Sequence, residues 1–492
     1  MTPTTPDVEA FRLMRAGRLS EALVLAERAV AGKSVCTCAH GLLATILVGL
    51  GRTSEADALI ESAAGLEPAG ADACDALAYV SMNLGRHARA NALYRRAVQL
   101  APDTPRHWYN LAASERSFGR LAQAEAACDR AIALDEHEYR SYLLRSELRV
   151  QTPQANHVAQ LRKSLCRPGL ADGARVSLGY ALGKELDDLQ QFDEAFHWFS
   201  QAASTRRRHL AYDVGVDERK LRRIAEVFPR TAPAARAHGQ DSGRFMFIVG
   251  LPRSGTTLLE RILTNLPGVR SNGETDNFSR ALLGASAARD TPGSGPAADV
   301  FEQAAAADPA AVAAHYARLA ASGRGEGFVL EKLPMNYLYL GAIHRALPRA
   351  KLLLVSRTAL DSCFAMYRTL FGAAYPFSYD FEDLSRYYAG YARLAAHWRA
   401  TLGGSVHEVN YEALVSDPLA TAAAAASFCG LDWSDGAVAV ENNSAVSLTA
   451  SASQARRPIY GTSSGRWRHY RAHLAPLIEG LRSRQVPLPE GA

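Results

Sequence analysis

Residues 248–263 read IVGLPRSGTTLLERIL. The first residues are apolar, as in a buried parallel strand, and the last six have the apolar spacing of an amphipathic helix. Pro252 and Gly255 mark a tight turn between them. Such a turn binds anions, because backbone N–H groups point outward and the helix dipole favours negative charge. The stretch therefore predicts a phosphate-binding loop at the edge of an α/β sheet.

The side chains of this loop indicate which phosphate compound it binds. Ser254, Thr256 and Thr257 supply hydroxyl donors, and Arg253 supplies a guanidinium. Nucleotide-hydrolysing P-loops place a lysine directly before Ser or Thr, whereas here Gly255 is followed by two threonines. The missing lysine argues against magnesium-dependent nucleotide hydrolysis, although a nucleotide-dependent phosphotransferase stays an alternative.

The first half of the chain repeats with a period of 34 residues. Glycines recur at Gly17, Gly51, Gly85 and Gly119, and each is followed by arginine. Alanines stand five and twelve residues after each glycine, namely Ala22, Ala29, Ala56, Ala63, Ala90, Ala97, Ala124 and Ala131. Glycine closes a turn between two helices, and alanine allows helices to approach closely. The pattern predicts four helix pairs that stack into a solenoid.

The repeat register fades after about Asp135 and returns, shifted by three residues, in residues 178–203. There, in LGYALGKELDDLQQFDEAFHWFSQAA, the later positions are occupied by Ala195, Phe199 and Ala202. We therefore expect a degenerate stretch followed by one further pair of helices.

The pattern changes at a segment rich in Ala, Pro and Gly, which predicts a linker over residues 230–243. Before it, residues 1–229 are predicted to form the helical repeat domain. After it, strands alternate with helices over residues 244–492. The length of 492 residues suits two or three domains. The predicted fold is an N-terminal helical solenoid followed by a P-loop-type α/β domain with a parallel sheet.

Composition excludes several classes of function. The formal net charge of +5 is small for this length and does not indicate binding to nucleic acid. No basic leader and no long apolar run is present, so we expect neither export nor a membrane span. The seven cysteines include no Cys-x-x-Cys pair and no zinc spacing, so we predict no metal site. Buried free thiols in a reducing, cytoplasmic compartment are the expectation.

The motifs resemble known families. The repeat spacings resemble the tetratricopeptide repeat, and PRSGTT after a strand resembles the 5′-phosphosulfate loop of sulfotransferases, over about residues 244–485. The whole chain is similar to bacterial tetratricopeptide-repeat sulfotransferases, with likeness to tyrosylprotein sulfotransferases. The resemblance implies sulfuryl transfer from 3′-phosphoadenosine 5′-phosphosulfate, as co-substrate, to an acceptor hydroxyl without a metal. It also implies that Arg253, Ser254, Gly255 and the two threonines after it bind this donor.

Two further segments resemble donor-binding elements of the family. Arg357, at the carboxyl end of a second predicted strand, matches an arginine that binds the 3′-phosphate. The family places a serine eight residues later, where this chain has Ala365. Either Ser362 or Arg368 substitutes for it, or the 3′-phosphate is held more weakly. Tyr411, in VNYEALVSDP, matches a tyrosine near the adenine, or it only packs at a strand end.

The segment TASASQARRPIYGTSSGRWRHY, residues 449–470, resembles the part of the family that closes over the nucleotide. The resemblance implies Ser451 and Arg466 as donor ligands. Arg456 and Arg457 either assist them or form a solvated charged face.

Two residues match the catalytic positions of the family. Glu274, in VRSNGETDNF, matches a glutamate base, and the alternative is an exposed loop carboxylate. Lys332, in VLEKLPMNY, matches a lysine that neutralises the transferring group together with Arg253. The alternative for Lys332 is a surface ion pair with Glu331. The histidine base of small-molecule sulfotransferases has no counterpart, since His344 falls in a predicted helix elsewhere.

The sequence predicts only the class of molecule that the repeats bind. Concave faces of such arrays commonly bind peptides or proteins, so we expect recognition of an acceptor protein, peptide or small molecule. A homodimer surface or a lid over the second domain is the structural alternative. An interaction scaffold with an inactive sulfotransferase-like domain is the functional rival, because Ala365 departs from the family pattern.

Overall fold

The structure of the protein, a computed structural model, describes residues 6–32, 37–62, 70–229, 242–287, 299–321, 327–449 and 451–492. Backbone contacts divide the chain into two compact units, residues 1–150 and 151–492. The predicted linker lies almost wholly outside the described residues, so the predicted boundary between the domains stays a prediction.

The first unit is built from helices. They are α1 (Pro6–Arg15), α2 (Leu19–Gly32), α3 (Thr37–Gly49), α4 (Thr53–Ser62), α5 (Ala71–Asn83), α6 (His87–Leu100), α7 (Pro105–Ser117), α8 (Leu121–Leu134) and α9 (Tyr139–Glu147). The predicted turn glycines Gly17, Gly51, Gly85 and Gly119 separate the members of the first four pairs. All four have φ between +72° and +78°, a left-handed conformation that glycine adopts without strain.

The predicted close-approach alanines lie between the paired helices. Each described one is at most 6% exposed, namely Ala22, Ala29, Ala56, Ala90, Ala97, Ala124 and Ala131. Ala63 lies outside the described residues. Apolar side chains of several pairs join in shared clusters, as where Leu77 and Val80 of α5 pack with residues of α1 to α4. The predicted helical repeat is confirmed.

The second unit begins with four more helices. They are α10 (Val158–Leu165), α11 (Asp172–Asp188), α12 (Phe192–Arg208) and α13 (Val214–Val227). The pair α11–α12 has the same turn as the repeats, with Gln190 (φ 60°) at the glycine position. Gln191 N donates to Leu186 O at 2.9 Å, as Arg120 N donates to Glu115 O at 3.0 Å in the first unit. The shift of the register by three residues agrees with this turn.

A five-stranded parallel sheet forms the centre of the second unit. Its strands are β1 (Phe245–Gly250), β2 (Val269–Ser271), β3 (Phe328–Lys332), β4 (Lys351–Ser356) and β5 (Val406–Asn410). Their order is β2-β3-β1-β4-β5, and all neighbours are parallel. The connections leave β1 in both directions, so the loop after β1 opens at a topological switch point, where ligands of α/β sheets bind.

Helices complete the second unit. They are α14 (Thr256–Thr264), α15 (Asn277–Ala287), α16 (Val300–Ala306), α17 (Pro309–Ala321), α18 (Leu340–Ala346), α19 (Ala359–Tyr367), α20 (Phe381–Leu402), α21 (Tyr411–Ser416), α22 (Pro418–Cys429) and α23 (Ala475–Ser483). On one face of β1, Met246 and Ile248 pack against Leu259 and Ile262 of α14. This packing holds the loop helix against the sheet, as the sequence predicts.

Several composition-based expectations can be compared with the described residues. None of the six cysteines described is in a disulfide, and four are buried, which leaves Cys38 and Cys166 exposed; Cys36 lies outside the described part. Burial raises the pKa of Cys128 to about 12. Within the same residues, no cluster of metal-binding side chains occurs. None of the described helices combines the length and apolarity needed to cross a bilayer.

Candidate active site

Two glycines shape the loop between β1 and α14. A Cβ atom on Gly250 would lie 2.6 Å from the carbonyl oxygen of Val355 in β4. A Cβ atom on Gly255 (φ 106°) would lie 2.3 Å from the ring of Tyr411. Only glycine therefore lets the loop lie this close to its neighbours.

Arg253 connects the loop to the irregular segment near the C-terminus. Its Nη1 donates to Ser451 Oγ, and its Nη2 donates to Gln454 Oε1 at 2.6 Å. Its carbonyl oxygen accepts a hydrogen bond from Arg357 Nη1 at 2.9 Å. Arg253 has φ 67°, an uncommon conformation for a residue with a side chain, and these contacts on both sides hold it. The structure thus brings together three residues predicted to bind the donor.

Arg357 follows β4 directly and is the centre of a second set of contacts. Its Nη2 donates to Ser463 O at 2.6 Å, and its guanidinium lies 4.6 Å from the ring centroid of Tyr411. The Tyr411 hydroxyl and Ser463 Oγ are 2.5 Å apart. Burial lowers the pKa of Arg357. Tyr411 is 8% exposed, and its ring lies close to the guanidinium of Arg357 and to Gly255.

Some buried polar atoms around the loop have no hydrogen-bond partner among the described residues. These include Ser254 Oγ, in a residue that is 1% exposed, and Arg357 Nε. Buried polar atoms are rarely left without a partner in proteins. Thr256 and Thr257 begin α14, where the first backbone N–H groups have no acceptor within the helix. These donors fit an anion with several oxygen acceptors, such as a phosphate or sulfate group.

Lys332 and Glu274 form an ion pair at the carboxyl end of β3. Lys332 Nζ donates to Glu274 Oε1 and lies 3.5 Å from Glu260 Oε2 of α14. The lysine side chain is fully buried, whereas that of Glu274 is 35% exposed. The alternative of a surface pair with Glu331 is wrong. Successive residues of a strand point to opposite faces of the sheet, so Glu331 and Lys332 point away from each other.

The remaining predicted donor ligands lie on α19 and in the C-terminal segment. Arg466 pairs with Asp187 of α11, with 2.7 Å between Nη2 and Oδ2. Ser362 is 1% exposed, and its hydroxyl is directed at the Arg357 carbonyl at 3.5 Å. Ala365 is also buried on α19. The predicted ligands therefore fall into three contact groups, centred on Arg253 with Arg357, on Lys332 and on Arg466.

Comparison with known proteins now identifies the domain. Residues 246–435 match the model of the sulfotransferase family, and residues 71–114 match a tetratricopeptide repeat model. The chain carries a sulfotransferase-family domain. Its β1, loop and α14, together with β3 to β5, lie inside the matched range.

Individual proteins are similar over part of the chain. An uncharacterised protein of Aquifex aeolicus (strain VF5) is 28% identical over 328 residues, which are 65% of this chain and 43% of that relative. The chain thus spans less than half the length of this relative. The sulfotransferase domain of the Synechococcus PCC 7002 olefin synthase is 17% identical, with a TM-score of 0.36, over 52% of this chain and 100% of that one. A sulfotransferase from Alicyclobacillus acidocaldarius is 20% identical, with a TM-score of 0.28, over 49% of this chain and 96% of that one.

Several contact residues of the candidate site were missed by the sequence analysis. Glu260 lies one turn along the loop helix, and this helical spacing could have singled it out. Gln454 and Ser463 lie within the arginine-rich segment, where nothing distinguishes them from neighbouring polar residues. Asp187 carries no motif and lies well before the family match, so no sequence signal pointed to it.

Proposed function

We propose that the protein transfers a sulfuryl group from 3′-phosphoadenosine 5′-phosphosulfate to an acceptor hydroxyl. The observation that carries this proposal is the Lys332–Glu274 ion pair beside a lysine-free anion loop. Lys332 is paired in register with Ile248 of β1, the strand that leads into the loop. A partly exposed carboxylate and a buried ammonium are thus fixed next to a loop suited to phosphosulfate.

We assign the donor-binding roles as follows. The loop donors would hold the 5′-phosphosulfate group, and Arg357 with the C-terminal segment would hold the 3′-phosphate, with Tyr411 near the adenine. The proposed ligands are Arg253, Ser254, Gly255, Thr256, Thr257, Arg357, Ser362, Tyr411, Ser451 and Arg466. The buried Ser254 Oγ and Arg357 Nε, which have no partner among the described residues, support this fit.

The reaction that these residues would carry out is a direct transfer. Glu274 accepts the proton of the acceptor hydroxyl as its oxygen bonds to sulfur. The bond from sulfur to the bridging phosphate oxygen breaks, and its electron pair stays on the leaving 3′-phosphoadenosine 5′-phosphate. Lys332 and Arg253 stabilise the negative charge that develops there.

We propose that the repeats recognise the acceptor or a partner protein. The tetratricopeptide repeat match at residues 71–114 supports this role. The acceptor would be a protein or peptide side chain such as tyrosine, a carbohydrate or a small molecule. The four buried free thiols are in keeping with a reducing, cytoplasmic location.

The test separates donor binding from chemistry. Calorimetry on the full chain should show binding of 3′-phosphoadenosine 5′-phosphate, and Arg253→Ala should abolish it. Glu274→Gln should keep this binding but lower the transfer rate by about 100- to 10,000-fold, because it removes the base. The rate is measured as donor consumption with a panel of phenols, tyrosine peptides and aminosugars.

Arg244→Ala is the matched control, because Arg244 lies just before β1 and packs on the ring of Phe245. It should change neither binding nor rate. A wild-type chain that does not bind the nucleotide would refute the proposal and leave the scaffold alternative. Magnesium-dependent turnover of ATP would instead support a phosphotransferase.

A further inference from the structure

A buried carboxylate on α11 joins two arginines of the sulfotransferase domain. Asp187 is the penultimate residue of α11 and is 2% exposed. Its Oδ2 lies 2.6 Å from Arg368 Nη1 and 2.7 Å from Arg466 Nη2. Its Oδ1 accepts from Arg466 Nε at 3.2 Å and from the Tyr470 hydroxyl at 2.5 Å. Each carboxylate oxygen therefore has two hydrogen-bonding or ion-pair partners.

The charges of this cluster do not cancel. Burial acts to raise the pKa of Asp187, but Arg368 and Arg466 outweigh it, and the pKa is lowered. Two guanidiniums against one carboxylate leave one positive charge. The side chains of Arg368 and Arg466 are 19% and 25% exposed, so the surplus charge is accessible to an anion from solvent.

Both arginines keep unused donors. A guanidinium carries five N–H groups. Among the described residues, Arg466 uses Nε and Nη2 on Asp187, which leaves Nη1. Arg368 uses Nη1 on the same carboxylate, which leaves Nε and Nη2. Asp187 therefore fixes the orientation of each guanidinium without consuming its capacity to bind an anion.

The segment that carries Arg466 is tied to the candidate site at neighbouring residues. Ser463 O accepts from Arg357 Nη2, and Gly465 N donates to Asp361 Oδ2 at 2.7 Å. Asp361 lies in the first turn of α19, four residues after Arg357. The three contacts to Arg357, Asp361 and Asp187 set the path of the chain from Ser463 to Arg466.

Helices α11 and α12 are themselves attached to the sulfotransferase domain. The Tyr180 hydroxyl of α11 donates to Tyr367 O at 3.1 Å. The rings of Phe196 in α12 and His473 are stacked, with centroids 4.4 Å apart. Asp187 thus lies on a helix that is packed against the elements that carry the two arginines.

We propose that Asp187 is a positioning residue that orients Arg368 and Arg466 toward the 3′-phosphate of the sulfuryl donor. This inference rests on the proposed function. Arg368 would then supply the contact that Ala365 cannot make. The α11–α12 pair is accordingly part of the donor site, although it precedes the family match.

The test compares two nucleotides on the full chain by calorimetry. Asp187→Asn should weaken binding of 3′-phosphoadenosine 5′-phosphate by about tenfold or more, because the arginines lose their charged partner. Binding of AMP, which lacks the 3′-phosphate, should stay within about twofold. The matched control is Asp172→Asn at the start of the same helix, since Asp172 pairs with His209 at 2.7 Å. This control should change neither affinity.

The outcomes are distinguishable. A wild-type chain that fails to bind the bisphosphate nucleotide refutes the proposed function, and this inference with it. If the wild type binds, an Asp187→Asn chain that binds equally or more tightly refutes the inference alone. Equal losses for both nucleotides also refute it, because they indicate general damage. If Asp187→Asn does not fold, Tyr470→Phe takes its place, with an expected selective loss of about threefold.

Discussion

Two carboxylates of the second unit, Asp187 and Glu331, are almost completely buried but behave in opposite ways. The pKa of Asp187 is lowered, because Arg368 and Arg466 outweigh the effect of burial. Burial raises the pKa of Glu331 to about 7. Burial alone always disfavours the charged form, so the neighbours decide the direction of the shift.

The surroundings of Glu331 explain the difference. Among the described residues no cation pairs with it, and Asn277 Nδ2 lies 3.4 Å from its Oε2. It lies on the face of β3 opposite to Lys332 and close to the buried Tyr316, whose pKa is raised by burial and by Glu331. Asp187 is therefore a fixed charge, whereas Glu331 exchanges its proton near neutral pH.

The largest effect that tests this comparison is the pH dependence of stability. A raised pKa means that Glu331 stabilises the fold below its unfolded pKa and loses this contribution as pH rises through about 7. Glu331→Gln should exceed the wild type in free energy of unfolding by less than about 1 kcal/mol at pH 5 and by about 3 kcal/mol at pH 8.5. Chemical denaturation at both pH values measures this difference.

Glu441→Gln serves as the control for this experiment, because Glu441 is exposed. It should behave as the wild type at both pH values. Two results would contradict the assignment of Glu331 as a carboxyl that is protonated in the fold. One is a Glu331→Gln chain that is less stable than the wild type by the same amount at both pH values. The other is a variant that equals the wild type in stability at both.

A smaller effect tests how α11 brings Asp187 to the arginines. Gly183 of α11 has no room for a side chain, because a Cβ atom would lie 2.8 Å from the ring of Phe199 in α12. Gly183→Ala should lower the free energy of unfolding by about 1–3 kcal/mol through overpacking. Thermal or denaturant unfolding of the full chain measures this loss.

Gly173, on the same helix, is the matched control, since no atom lies within 4 Å of its Cβ position. Gly173→Ala should be neutral or stabilise by about 0.5–1 kcal/mol. Equal destabilisation by the two substitutions would show that close packing of α11 on α12 is not the cause.

The smallest effect concerns the turn that follows Asp187. Gln190 has a left-handed backbone where the first unit has glycine. Gln190→Gly should therefore raise the free energy of unfolding by about 1 kcal/mol. Gln191→Gly should lower the free energy of unfolding slightly. Gln191 has φ −90°, so glycine relieves no strain there and only increases the entropy of the unfolded chain. Losses of equal size in both variants would contradict the equivalence of this turn to those of the repeats.

Local patterns predicted the elements of the fold well. The four turn glycines, the strand before Arg253 and the strand before Arg357 are where the sequence placed them. Contacts were harder to predict. The Lys332–Glu274 pair joins two residues that the family resemblance singled out separately, and the alternative pair with Glu331 failed because strand residues alternate between faces.

By itself, the sequence determined the helix pairs, the phosphate-type loop and the parallel strands, because these depend on periodicity and on backbone preferences within a few residues. Only the tertiary structure decided which charged groups meet. It directs Lys332 to Glu274, leaves Glu331 without a cation among the described residues, and brings Asp187 to Arg466 across 279 residues of chain. Electrostatic contacts depend on distance in space, which packing fixes and which separation along the chain does not reveal.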